Sequence, residues 1–173
     1  MSYDEGDDYI NKLKCIVLTL VMILANLSGC LSSDEEELEE FPSFSLADEQ
    51  GNTHGKNDYV GSPFVAYFSA SWCNHCKPAL GALDDTVPEG QLLVFNRDPR
   101  DEYSDMNEWK ERMESELERN LSHPFIHAPP LSQSLNVTGI PTMFFVNSDG
   151  MIENSLTGVK DTQAIENYWN ELS

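Results

Sequence analysis

The chain has 173 residues, and 30 acidic side chains outnumber 10 basic ones for a formal net charge of −20. That balance excludes the basic face that binding to phosphate backbones needs, and so excludes nucleic acid as a partner. The acidity describes a heavily solvated surface. The length allows one domain with its own core plus an appendage. Four cysteines, at 15, 30, 73 and 76, do not read as a disulfide framework: two flank an apolar run and two form a close pair.

Taken in order, the chain opens with an address. Residues 16–27 are almost wholly apolar, with Lys12 and Lys14 before them. The run is shorter than the ~18 residues of a membrane span and has the length of a signal-peptide core. It ends in Leu27-Ser28-Gly29-Cys30, which resembles the lipobox of prokaryotic lipoproteins, whose cysteine carries the lipid. Asp4, Glu5, Asp7 and Asp8 make an acidic start where such peptides are usually basic, so an uncleaved signal anchor stays open beside cleavage. Either reading puts the following domain at the cell membrane, facing the extracytoplasmic side. The expected division is a lipoprotein-type signal peptide over 1–29, the lipid-bearing Cys30 with an acidic tether over 30–40, and a folded domain over 41–173. The tether is expected to be extended, because its closely spaced like charges repel.

Within the domain, Phe44-Ser45-Leu46 predicts a short strand and Asp48 to Asn52 a turn. Pro63 to Ser69 reads as the first strong strand. A helix is expected from Cys73 to about Asp85, with Pro78 kinking it by removing an N–H. Gln91 to Phe95 is a second buried strand. Asp101 to Leu121 predicts a long helix, because Tyr103, Met106, Trp109, Met113, Leu117 and Leu121 form an apolar stripe at spacings of three and four. His123 to Pro130 reads as a Pro-broken loop, followed by a short helix around Leu131 to Leu135. Thr142 to Val146 and Met151 to Leu156 make a hairpin about Asn147-Ser148-Asp149-Gly150. Asp161 caps a last helix. The order implies an α/β sandwich of three layers, with helices flanking a central mixed sheet.

The chemistry lies in Cys73-Asn74-His75-Cys76, directly after Trp72. Two cysteines this close interconvert between dithiol and disulfide, and a strand feeding them into a helix start points to redox exchange. The positive end of a helix favours the thiolate, which makes Cys73 the nucleophile.

Ala70-Ser71-Trp72-Cys73-x-x-Cys76-Lys77 resembles the active site of the thioredoxin superfamily, and Gly139-Ile140-Pro141-Thr142 its cis-proline loop. Phe41-Pro42-x-Phe44-Ser45-Leu46 is similar to the start of the membrane-tethered, TlpA/ResA-like branch. The resemblance implies a thiol-disulfide oxidoreductase acting on protein thiols and disulfides with a further, unidentified redox partner. It implies that Cys73 attacks, that Cys76 resolves the mixed disulfide, and that Ile140 and Pro141 receive the substrate backbone beside Trp72. No cofactor and no metal are expected.

Three positions depart from the family pattern. Tyr67 stands where cytoplasmic members carry a buried aspartate, and Ala79 where ResA-like members carry a glutamate. His75, before the second cysteine, is similar to the oxidising DsbA-like proteins, and is expected to stabilise the Cys73 thiolate. Two alternatives compete: a copper or other metal chaperone using the cysteines with His75, His123 and His127, and a redox-inactive binding module of the same fold.

Overall fold

A computed structural model describes residues 38–172. The expectations for the signal segment, Cys15, Cys30 and the tether up to Glu37 lie outside the described residues. Among those that are described, no helix is long and apolar enough to cross a membrane.

Among the described residues, eight strands and four α-helices follow one another. They are β1 (Glu39–Glu40), β2 (Ser45–Ala47), β3 (Thr53–Gly55), β4 (Phe64–Ser69), α1 (Cys76–Thr86), β5 (Leu92–Asn96), α2 (Asp105–Leu117), β6 (Phe125–His127), α3 (Pro129–Ser134), β7 (Thr142–Val146), β8 (Met151–Thr157) and α4 (Thr162–Glu171). Six strands form one sheet in the order β1-β8-β7-β4-β5-β6. β4, β5 and β6 run parallel, and β7, β8 and β1 add antiparallel pairs. β2 and β3 form a separate hairpin. This is the mixed sheet between helices that the order of elements implies.

The strands through the middle of the sheet are apolar on both faces, as strands covered twice must be. Val65, Tyr67, Leu92, Val94, Met143 and Phe145 meet α1, α2 and α4 through Leu80, Leu83, Met106, Trp109 and Ile165. Their neighbours Phe64, Ala66, Phe68, Leu93, Phe95, Phe144 and Val146 form the second core with Phe41, Leu131 and Leu135. Phe68 stacks on Phe95 at 5.1 Å, and Phe144 meets Phe68 edge-on at 5.7 Å.

Five expectations change. The sheet begins at Glu39, within the segment expected to be tether: β1 pairs with β8, and Glu40 Oε1 meets Lys56 Nζ at 2.5 Å, which offsets the acidic repulsion. Helix α1 begins at Cys76 instead of Cys73, after the Ala70–Cys73 turn (3.0 Å) and a Cys76 N–H bond to the Cys73 carbonyl (3.0 Å). Pro78 therefore lies in the first helical turn, where an N–H has no intrahelical acceptor, and it interrupts nothing. Helix α2 is shorter at both ends than the apolar stripe. Asp105 Oδ2 accepts the Glu102 N–H (2.7 Å), so the chain turns before the helix and leaves Tyr103 46% exposed instead of in the core. At the other end Glu118 adopts φ 55°, and Leu121 reaches the core from beyond the helix, its N–H held by Glu114 Oε1 at 2.9 Å. The segment expected to be a loop after His123 contains β6, which pairs with β5 through only three residues.

Candidate active site

The site is assembled by register. β4 ends at Ser69, and the antiparallel pairing of Phe68 with Thr142 sets the start of β7 beside that end. The loop after β4 carries Trp72 and Cys73, Cys76 opens α1, and the residues before β7 are Ile140 and Pro141, joined by a cis peptide bond. Sheet pairing thus brings the two motifs together across some 65 residues of sequence. Cys73 and Cys76 form a disulfide, with their Cα atoms 5.4 Å apart. Cys76 is more deeply buried than Cys73, at 3% against 9% exposure, and Trp72 stands out at 58%. Half-buried Ile140 packs on the cluster that contains both cysteines.

The proline loop is braced. Thr142 Oγ1 bonds to the Gly139 carbonyl at 2.9 Å and lies 3.0 Å from Thr157 Oγ1, and the Gly158 N–H holds the Pro141 carbonyl at 2.8 Å. A Cβ on Gly139 would lie 3.3 Å from Thr157 Cγ2, so the Thr157 side chain would have to give by a few tenths of an ångström.

Tyr67 is wholly buried beneath the cysteines, and its hydroxyl donates to the Cys76 carbonyl at 2.7 Å. Burial pushes the phenol above its ordinary pKa, which keeps it protonated as a donor. The position where relatives of the cytoplasmic kind hold a base therefore holds a fixed donor.

A second cluster supports Trp72, and sequence reasoning missed it. The indole N–H donates to Asp98 Oδ2. Arg100 grips the same carboxylate through Nε and Nη2, at 3.0 and 2.6 Å, and its guanidinium lies 5.9 Å from the centre of the Trp72 ring. Arg100 first, against the opposing effect of burial, and then the Arg100 N–H and Trp72 hold Asp98 well below the usual carboxylate range. Asn96 Oδ1 receives the Asp98 N–H at 2.7 Å, and His127 Nε2 lies 3.2 Å from the Asp98 carbonyl. The hint in the sequence is a run of four charged residues, Arg97, Asp98, Arg100 and Asp101, just after the strand predicted over Gln91 to Phe95.

His75 is the N-cap residue of α1, is exposed, and makes no side-chain cap bond. His123 is buried against Asp84 Oδ1, 2.9 Å from Nε2, and is not the simple loop residue its setting beside Pro124 suggests. With His127 committed to the Asp98 carbonyl, the three histidines of the metal alternative do not converge on the cysteines. Among the described residues, no three His, Cys, Asp or Glu side chains are grouped as a metal ion needs.

A central mixed sheet with a Cys-x-x-Cys disulfide at the end of β4 and a cis-proline before β7 defines a thioredoxin-like protein. Residues 38–155 match the AhpC/TSA family, and the chain belongs to it. It is 24% identical over 139 residues to the thiol-disulfide oxidoreductase ResA of Geobacillus kaustophilus, covering 76% of this chain and 75% of that protein. The thiol:disulfide interchange protein DsbE of Pseudomonas fluorescens is also 24% identical, over 122 residues, covering 70% and 66%. Among solved structures, the exposed lipoprotein thioredoxin of Streptococcus pneumoniae superposes with a TM-score of 0.62 at 24% identity, covering 76% of this chain and all of that one.

Proposed function

We propose that this chain is a thiol-disulfide oxidoreductase of the ResA/DsbE type, held at the outer face of the cell membrane by its N-terminus and exchanging disulfides with protein clients. The observation that carries the reading is the Cys73–Cys76 disulfide at the start of α1, set by strand register beside Ile140–Pro141. The relatives named ResA and DsbE support the reaction class. The apolar core ending in Leu27-Ser28-Gly29-Cys30 supports the address.

In the reduced protein, Cys73 Sγ attacks one sulfur of a client disulfide. A new S–S bond joins enzyme and client, and the other client sulfur leaves as a thiolate that takes up a proton. Cys76 Sγ, after losing its proton, attacks Cys73 Sγ and expels the second client thiolate. Two electrons pass to the client, and the enzyme keeps the Cys73–Cys76 disulfide. The reverse sequence oxidises a client dithiol, and the client and partner potentials set the direction. Cys73 begins the sequence because it is the more accessible sulfur and lies at the positive end of α1. Trp72, Ile140 and Pro141 supply the surface on which the client segment lies.

The test is turnover of a peptide disulfide, and of the matching peptide dithiol, by the full chain in detergent. The wild type is expected to accelerate at least one direction well above a Cys73→Ser/Cys76→Ser double variant. Equal rates in both directions would overturn the assignment.

A further inference from the structure

The four arginines of the chain are at 97, 100, 112 and 119, and three of them are spent on segments that frame the dithiol. Arg112 donates from Nη2 to the Ser71 carbonyl, just before Trp72. Arg97 donates from Nη1 to the Thr138 carbonyl at 3.4 Å, in the segment leading to Ile140–Pro141. Arg100 reaches Trp72 twice, over the ring and through Asp98. In a chain with three acids for every base, the rim of the site is where the arginines gather.

Acidic groups oppose them, and they differ in how far they are already committed. Asp98 is buried, and its carboxylate is shared by the Arg100 guanidinium, the Trp72 indole and the Arg100 backbone N–H. Asp101 acts on Arg100 through space, and its Oδ2 accepts from Asn96 Nδ2 at 2.7 Å. Glu116 faces Lys77 at 3.4 Å, and Glu108 and Glu111 lie along α2 beside Arg112. Arg100 differs from all of these. Its side chain is 76% exposed, and Asp98 uses only the Nε and Nη2 edge of the guanidinium, so the Nη1 donors remain for another acceptor.

We propose that Arg100, backed by Arg97, determines specificity by binding a carboxylate of the client polypeptide next to the disulfide that Cys73 attacks. The inference rests on the exchange reading above and adds the class of client: segments with Asp or Glu beside the reacting cysteine. An arginine held by one carboxylate is preoriented, so little side-chain freedom is lost when it meets a second. The site is exposed, so the preference is modest, roughly threefold.

The test compares two disulfide-bonded peptides, identical except for Glu or Lys beside one cysteine, on the full-chain protein at physiological ionic strength. Under those conditions the field of the whole acidic chain is screened beyond ~8 Å, while a contact at Arg100 is not. The two influences have opposite signs, since the overall charge of −20 favours the Lys peptide and Arg100 favours the Glu peptide. The expected ratio of kcat/KM, Glu over Lys, is about three. It should fall to one or below in Arg100→Gln, fall in part in Arg97→Gln, and largely survive in Arg100→Lys. Because both peptides meet the same protein, losses of folding or of intrinsic reactivity cancel in the ratio. A wild-type ratio of one or less, or a ratio unchanged in Arg100→Gln, overturns the proposal alone. Turnover of neither peptide overturns the exchange reading as well.

Discussion

Tyr67 shows how one substitution changes the working parts of the site while the fold stays the same. At the centre of β4, directly under the cysteines, a phenol replaces a carboxylate, and it donates to a backbone carbonyl where a carboxylate would accept a proton. Its contribution is positional, because it pins the first residue of α1 to the middle strand. Tyr67→Phe keeps the ring and removes this bond, while the carbonyl still faces the helical N–H four residues on. The expected loss is about 1 kcal/mol, read as a lower urea midpoint with an unchanged slope. Tyr67→Ala also opens a cavity among Val65, Val94 and Met143, and should cost about 3–5 kcal/mol. The sequence exposed Tyr67 as a departure but not its role, since the donor direction depends on where the Cys76 carbonyl points. Asp98 and Arg100 were less visible still, because their link to Trp72 spans 26 residues and leaves no periodic trace.

At the scale of elements, the errors share one cause: ends and short pieces are decided by side chains from elsewhere. The strong strands and the amphipathic helices came through composition and period, which are local. The three residues of β6 are too few for a period, and they are ordered by distant groups. Glu49 Oε2 accepts the Phe125 N–H at 2.8 Å, while its Oε1 meets Lys110 Nζ at 2.5 Å. Lys110, four residues after Met106 and three before Met113, falls within the apolar stripe of α2, is buried with that partner and also donates to the His123 carbonyl at 3.0 Å. Removing one member of such a pair strands the other, so Glu49→Gln should destabilise by about 3 kcal/mol or more, seen in the urea midpoint.

His123 joins the same region, held to Asp84, which also takes Arg119 at 3.0 Å. Lys110 and Glu89 also act on the imidazole through space. Burial lowers its pKa against the pull of Asp84. The unfolded chain therefore binds a proton near pH 6.5 that the folded chain refuses. Stability from this group is complete above that pH, and it declines as pH falls towards the lowered folded value. His123→Gln should flatten the stability profile just below pH 6.5, measured by urea denaturation across pH.

The whole molecule joins a folded domain to an N-terminal segment with an apolar run at 16–27, in a chain of net charge −20. The two halves of the site lie far apart in sequence, and their meeting was expected from the pairing of motifs; the pairing of β4 with β7 supplies the physical means. The proposed anchoring through Cys30 is tested on the intact chain. Cys30→Ala should release the protein from membranes or leave its precursor uncut, as fractionation and intact mass will read. Trapping tests the roles of Cys73 and Cys76 most directly. Cys76→Ser leaves the attacking thiol without its resolver, so covalent enzyme–client complexes should accumulate and dissolve on reduction. Cys73→Ser should accumulate few or none. Equal trapping by the two variants, or none by either, would contradict the assignment of Cys73 as nucleophile and Cys76 as resolver.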